Sequence, residues 1–322
     1  MNLFKILTNV GGMTTLSRVL GFIRDTIIAR VFGVGLATDA FFVAFKIPNL
    51  LRRISAEGAF TQSFIPILSE YKEKNKKFEL HLFINRVATL LGIFLVIITL
   101  LGIFGAPWLI YISAPGFISN PQKFELTVDL LRIIFPYIFF ISLVSMAGGV
   151  LNTFGKFSVP AFTPVWLNIS FIISALFFAD YFSQPIFVLA WAVFFGGILQ
   201  LSFQIPFLKK IGCLPSLDFN FNDPGVWRVI KLMGPSILGV SVAQISLLIN
   251  TVFASFLAVG SVSWLYYADR LIEFPVGVLG VALSTVLLPS LSRSLANNKK
   301  YEYSSLINWG IKLGILTAAP AS

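Results

Sequence analysis

Apolar residues run along this chain in long blocks, separated by short polar stretches. About 20 mostly apolar residues are needed for a helix to cross the hydrocarbon core of a bilayer. Eight blocks reach that length, at roughly 9–34, 37–69, 86–113, 126–154, 158–180, 185–210, 229–258 and 262–291, and a ninth begins near Ser304. Backbone groups in lipid must be satisfied within their own segment, so blocks of this length read as helices. The pattern predicts an all-α polytopic membrane protein. After Lys5 come Thr8, Asn9, Thr14 and Thr15 and then Arg18, with no compact apolar run of the kind a cleavable signal has. The first span is therefore expected to stay in the mature protein.

Composition agrees with this pattern. Of the 322 residues, 57% are hydrophobic and 12% charged, whereas a soluble domain carries about 25% charged residues. So little charge cannot coat a water-soluble globule. One cysteine, Cys213, excludes an internal disulfide and a cysteine metal cluster. The one histidine, His81, is read as a solvated residue of a charged loop, since nothing around it has metal-ligand spacing.

The net charge of +10 changes the picture through its placement. Lys72, Lys74, Lys76, Lys77 and Arg86 fall between spans 2 and 3, and Lys156 between 4 and 5. Lys209, Lys210, Arg228 and Lys231 flank the 6–7 connection, and Arg293, Lys299 and Lys300 follow span 8. The alternate loops hold only Lys123. Cytoplasmic loops are enriched in Lys and Arg, so the pattern predicts a cytoplasmic N-terminus and gives no reason to invoke nucleic acid.

A shift of 223 residues brings two parts of the chain into register. Phe64-Ile65-Pro66-Ile67-Leu68-Ser69 falls on Leu287-Leu288-Pro289-Ser290-Leu291-Ser292, Lys76-Lys77 on Lys299-Lys300, and the short loop Gly35–Thr38 on Ala258–Ser261. Spans 1 and 2 then correspond to spans 7 and 8. Six helices apart, the two copies share one orientation, which is a parallel repeat. The expected organisation is a six-helix lobe over 1–210, a cytoplasmic connection over 211–228, and the start of a second, incomplete lobe over 229–322. Phe219-Asn220-Phe221, with Val226 and Trp227, is expected to lie in the headgroup plane. Paired glycines at 11–12, 148–149 and 196–197 fall inside spans and are read as packing or bending positions.

Ionisable residues inside a span are costly and tend to face a bundle interior or a wet cavity. Here they gather in three spans. Span 1 carries Arg18, Arg24, Asp25 and Arg30; span 2 carries Asp39, Lys46, Arg52, Arg53 and Glu57; span 8 carries Asp269, Arg270 and Glu273. Ser17, Gly21, Arg24 and Ile28 share one helical face, with Arg18 and Asp25 on the stripe beside it. Asp39, Lys46 and Arg53 recur every seven residues, and Pro48 and Gly58 predict a bend in that span. Two readings stand side by side. Arg24–Asp25, Arg53–Glu57 and Arg270–Glu273 pair simply to make burial tolerable; or the excess of guanidinium groups serves a phosphorylated ligand, which arginine grips with two parallel hydrogen bonds. No Ser/His/Asp set, His/Cys cluster, phosphate loop or acid–base carboxylate pair appears, so no enzyme is predicted.

Three blocks carry a resemblance: Ser17-Arg18-Val19-Leu20-Gly21-Phe22-Ile23-Arg24-Asp25; Thr38-Asp39-Ala40-Phe41-Phe42-Val43-Ala44-Phe45-Lys46-Ile47-Pro48-Asn49-Leu50-Leu51-Arg52-Arg53 with Ala56-Glu57-Gly58; and Tyr267-Ala268-Asp269-Arg270-Leu271-Ile272-Glu273-Phe274-Pro275. They resemble the MurJ (MviN) lipid II flippases, within the multidrug/oligosaccharidyl-lipid/polysaccharide (MOP) exporter superfamily. The resemblance implies two six-helix lobes around a central cavity. It also implies alternating-access transport of lipid II, the undecaprenyl-pyrophosphate-linked peptidoglycan precursor, across a bacterial inner membrane. Functionally important cavity residues of that family match Arg18, Arg24, Asp39, Arg52 and Arg270; Arg53 and Glu57 belong to the same motif, and Asp25 adjoins Arg24. Partners are then lipid II and membrane lipids, with no cofactor. Some members bind sodium through an acidic residue near the start of span 7, where this chain reads Met233-Gly234-Pro235-Ser236, so a coupling ion is left open. Other readings remain at this point: a different exporter of the superfamily, an intramembrane enzyme acting on polyprenyl phosphates, or a channel.

Overall fold

The computed structural model describes residues 3–74, 77–220, 222–272 and 300–318. Among the described residues every regular element is helical. In chain order these are α1 (Leu3–Phe32), α2 (Leu36–Leu51), a π-helical segment (Arg52–Phe60), α3 (Thr61–Glu73), α4 (Lys77–Phe104), α5 (Ala106–Ser113), α6 (Pro121–Ile134), α7 (Tyr137–Thr153), α8 (Ser158–Phe162), α9 (Pro164–Phe177), α10 (Phe187–Lys210), α11 (Pro224–Ser255), α12 (261–272) and α13 (Lys300–Ala318). Glu273, Lys76, Phe221, the Leu287–Ser292 stretch and Lys299 lie outside the described residues, as does the side chain of Glu57.

Among the described residues, five stretches are long and apolar enough to cross a membrane: Phe78–Phe104, Pro121–Thr153, Ser158–Phe177, Phe187–Lys210 and Pro224–Val242. α1 is as long, but its middle carries Thr14, Thr15, Ser17, Arg18, Arg24 and Asp25. The helices that depart from the membrane-span composition are thus the ones in which the sequence concentrates charge.

α2 is the centre of the bundle. Each residue from Thr38 to Phe45 is buried, and α2 packs on α6, α5 and α7. A helix apolar all round is a buried helix, and Phe41, Phe42 and Phe45 fill the space, with Phe41 and Phe45 stacked and both edge-on to Phe171 of α9. In lipid the gain comes from close packing rather than from leaving water. The bend expected from Pro48 and Gly58 takes the form of the π-helical segment, which begins one turn after Pro48. A π turn arises where the regular ladder is interrupted, and proline removes one of its donors. A Cβ on Gly58 would lie 2.8 Å from the Arg53 carbonyl oxygen and 3.0 Å from Val240 Cγ1, so only glycine lets α11 approach here.

Several expected boundaries move, each for a local reason. α4 starts at Lys77, not near 86, so His81 and Arg86 are helical rather than loop residues. His81 Nε2 donates to the carbonyl of Gly212. Span 3 breaks at Gly105, ahead of Pro107. α6 starts at Pro121, with Asn120 accepting from Lys123 N, so Lys123 is not a loop charge. α11 starts at Pro224 rather than 229, because Asp223 caps it by accepting from Gly225 N. The non-helical stretch between α10 and α11 is therefore 211–223, and Val226 is buried in the core instead of lying at the headgroups.

The basic segments meet at one end of the bundle. Lys72 Nζ donates to the Thr153 carbonyl at 2.6 Å, Arg86 bridges Asp218 and Asp223 at 3.1 Å each, and Arg228 forks onto Glu70 at 2.7 and 3.0 Å. Tyr71 donates to Asp223 at 2.9 Å; burial, with Asp223 adding to it, pushes that phenol up to about 12. At the other end, the two loops paired by the 223-residue shift touch. A Cβ on Gly260, whose φ is +99°, would lie 2.7 Å from Val34 Cγ1.

Candidate functional site

Two clusters of buried charge stand at different levels of the bundle. The first is centred on Asp39, which is 0% exposed. Its Oδ2 accepts from Lys123 Nζ at 2.8 Å and from Gly260 N at 2.7 Å; its Oδ1 accepts from Ser263 N at 2.8 Å and Ser263 Oγ at 2.6 Å. Lys123 Nζ also lies 3.9 Å from the centroid of Phe117. The carboxylate thus satisfies amides at the start of α12, where a helix leaves its N–H groups open and favours negative charge. Four donors, one of them an ammonium, saturate it. Asp39 was expected in a cavity; the structure instead closes it between α2, α6 and the α11–α12 turn. Arg53, on the same heptad stripe, falls instead in the second cluster.

The second cluster lines a cavity of about 760 Å³. One wall carries Arg18, Arg24 and Asp25 of α1, Arg52 and Arg53 of the π-helical segment, and Arg270 of α12. Facing it are neutral polar groups, among them Thr163, Asn168, Gln200 and Gln204. Among the described lining residues, five guanidinium groups stand against a single carboxylate, Asp25. Arg24 is held on every nitrogen: Nε donates to Asp25 Oδ1 at 2.9 Å, Nη1 to Asn168 Oδ1 at 3.0 Å, and Nη2 lies 2.7 Å from Asp25 Oδ1. Its guanidinium also sits 5.2 Å from the centroid of Phe171. Arg52 donates from Nε and Nη2 to Asn49 Oδ1 at 3.0 and 2.7 Å. Arg270 Nε is 3.5 Å from Asp25 Oδ2, so its described anion is Asp25, whereas the expected partner Glu273 lies outside the described residues. The expected Arg24–Asp25 pair is present.

Helix geometry explains this gathering. Ser17, Gly21 and Arg24 follow one face of α1, as their spacing requires, and all three line the cavity while Ile28 enters the core. Sequence reasoning missed Lys123, read as a loop residue, and Asn168, whose Nδ2 also donates to the Ser17 carbonyl at 2.9 Å. It missed Tyr266 as well, which stands one helical turn before Arg270; that i,i+4 spacing was the available signal. The chemistry open to such a wall is the coordination of an anion by forked donors.

The profile of the family described as lipid II flippase MurJ matches residues 28–322. The chain belongs to the MurJ lipid II flippase family. Probable lipid II flippase MurJ of Buchnera aphidicola subsp. Acyrthosiphon pisum (strain APS) is 50% identical over 322 residues, covering 100% of this chain and 63% of that protein. Lipid II flippase MurJ of Burkholderia cenocepacia is 50% identical over 326 residues, with the same coverage of both. The chain thus spans 63% of the length of these curated relatives. The solved structure of lipid II flippase MurJ in an inward closed conformation superposes with a TM-score of 0.75 at 28% identity, over 96% of this chain and 62% of that one. An outward-facing multidrug transporter of the MATE family, within the MOP superfamily, superposes with a TM-score of 0.63 at 13% identity, over 97% of this chain and 70% of that one. That second likeness shows the fold alone. The chain is therefore a multi-pass membrane protein of MurJ type with a MOP-exporter fold. Arg18, Arg24 and Asp25 precede the profile match, but the pairwise matches to MurJ relatives run through them.

Proposed function

We propose that this chain forms the first lobe and the opening of the second in a flippase for lipid II. In that reading an undecaprenyl-pyrophosphate-linked precursor moves from the cytoplasmic to the periplasmic leaflet of a bacterial inner membrane by alternating access. The carrying observation is the cavity wall of five arginines against one carboxylate, in a chain of the MurJ family. A pyrophosphate matches that wall, because each guanidinium offers two parallel donors to phosphate oxygens. Arg18, Arg24, Arg52, Arg53 and Arg270 hold the anion, and Asp25 sets the frame of Arg24 and Arg270. The protein acts as a carrier, with no covalent step assigned to it. The N-terminus is cytoplasmic, by the clustering of Lys72, Lys74, Arg86, Lys209 and Lys210 toward one end. Residues 1–210 make one lobe and 224 onward begin the next.

The test uses the full-length protein. Its depletion from cells should strand lipid II in the cytoplasmic leaflet, as read by a reagent confined to the periplasm. Unchanged leaflet distribution on depletion, with export of a small cationic drug lost, would mean another kind of MOP exporter. Cysteine at Lys74 should resist an impermeant reagent added to intact cells; labelling there reverses the orientation.

A further inference from the structure

The hydroxyl of Tyr266 sits where three charged side chains from two helices converge. It donates its one proton to Asp25 Oδ1 at 3.2 Å. It accepts from Arg24 Nη2 at 3.4 Å and from Arg270 Nε at 3.3 Å. A phenol has one donor and an acceptor oxygen, so its capacity is fully used. The ring cannot swing away. It stacks on Phe42 at 3.9 Å between centroids and 17° between planes, and Tyr267 meets it edge-on at 5.7 Å. The Arg270 guanidinium lies 5.4 Å from the same ring's centroid.

Arg270 Nε also approaches Asp25 Oδ2 at 3.5 Å, so the hydroxyl adds a neutral bridge beside a charged one. Two guanidinium groups beside one carboxylate also repel each other. The phenol oxygen, with its partial negative charge between them, offsets that repulsion and fixes their separation. Tyr266 therefore ties Arg24 and Arg270 together beside Asp25.

We propose that Tyr266 is a positioning residue for the anion site of the cavity, holding Arg24 of α1 and Arg270 of α12 at a spacing that fits one pyrophosphate group. The proposal rests on the lipid-linked pyrophosphate reading above. Tyr266→Phe in the full-length protein keeps the ring stack and removes only the hydroxyl. Binding of undecaprenyl pyrophosphate and of neutral undecaprenol is measured side by side, with the melting temperature. The expected result is about a tenfold weaker Kd for the pyrophosphate lipid, equivalent to about 1.4 kcal/mol, with undecaprenol binding and melting temperature unchanged. Pyrophosphate binding equal to wild type overturns the assignment, as does an equal loss for both lipids.

A double-mutant cycle with Arg270→Lys guards against a folding defect. Arg270→Lys removes the contact with Tyr266 as well as Arg270's own fork on the anion, so the double variant should lose less than the sum of the two single losses; additive losses overturn the proposal. A wild-type protein that binds undecaprenyl pyrophosphate no better than undecaprenol removes the anion site itself, and with it the functional reading. A wild-type preference that survives in Tyr266→Phe removes only the role of Tyr266.

Discussion

Asp39 and Asp25 are both buried carboxylates in the opening helices, both paired with cations, and they do opposite work. Around Asp39 the ratio is one ammonium to one carboxylate, and two backbone amides and a hydroxyl take the remaining lone pairs. Around Asp25, Arg24 and Arg270 share one carboxylate, and Arg18, Arg52 and Arg53 line the same space. The first cluster has nothing left to offer a ligand. The second lines a cavity with five guanidinium groups and, among the described residues, one carboxylate. Buried charge alone thus does not mark a binding site; what marks it is the surplus of one sign where a ligand can reach.

The sharpest break in this comparison is Lys123→Met. It leaves Asp39 buried with its ammonium gone, and breaking a buried pair by removing one member costs about 3–5 kcal/mol. The variant should melt far below wild type and fall in membrane abundance. Adding Asp39→Leu should recover most of that loss, since no unpaired charge remains. A single variant as stable as wild type would show that water or lipid headgroups already solvate Asp39.

Arg52→Ala should give the reverse pattern. Arg52 is half-buried on the cavity wall rather than in the core, so stability should change by about 1 kcal/mol or less. Charge-assisted hydrogen bonds to a ligand are worth about 1.5–3 kcal/mol, so lipid II binding by the full-length protein should weaken about 10- to 150-fold. Arg52→Lys should rescue little, because an ammonium lacks the planar fork. Arg24 should fall between the two cases. Arg24→Ala is expected to lose both stability and transport, and Arg24→Ala with Asp25→Ala should regain stability but not transport. Near-normal flipping in that double variant would falsify a substrate role for Arg24.

Much of this was legible in the sequence, and the misses share a cause. The helical class, the charged helices and the face of α1 follow from periodicity, which local chemistry obeys. Arg18, Arg24, Asp25, Arg52, Arg53 and Arg270 do meet in one cavity. Asp39 was misplaced because its four donors come from residues 123, 260 and 263, and no local pattern announces a contact across 84 or 224 positions. Lys123 was misread for the same reason: at a helix start, a lone lysine looks like a loop charge. Tyr266 was passed over because, within an aromatic run, a ring reads as packing and its hydroxyl goes unnoticed.

The smallest expected effect sharpens the comparison by removing burial. Glu70 and Arg228 form a forked pair as good in geometry as any in the protein, at 2.7 and 3.0 Å, but both side chains are about half exposed. The Arg228 guanidinium holds the Glu70 carboxyl below its ordinary value of 4.5, chiefly by hydrogen bonding. A folded-state value lowered in this way stabilises the protein above the unfolded value, and that contribution disappears as pH falls through the folded one. Between pH 6 and 8 the pair should therefore be indifferent to pH. Glu70→Gln should leave the melting temperature nearly unchanged at physiological salt, because exposed pairs are screened. The difference from wild type should widen slightly at low ionic strength and vanish as pH falls through the lowered folded-state value. Thermal melts of the two proteins across salt and pH would check this. A large loss at neutral pH and high salt would mean that exposure does not set the worth of an ion pair here, and the contrast between Asp39 and Asp25 would need a cause other than what surrounds them.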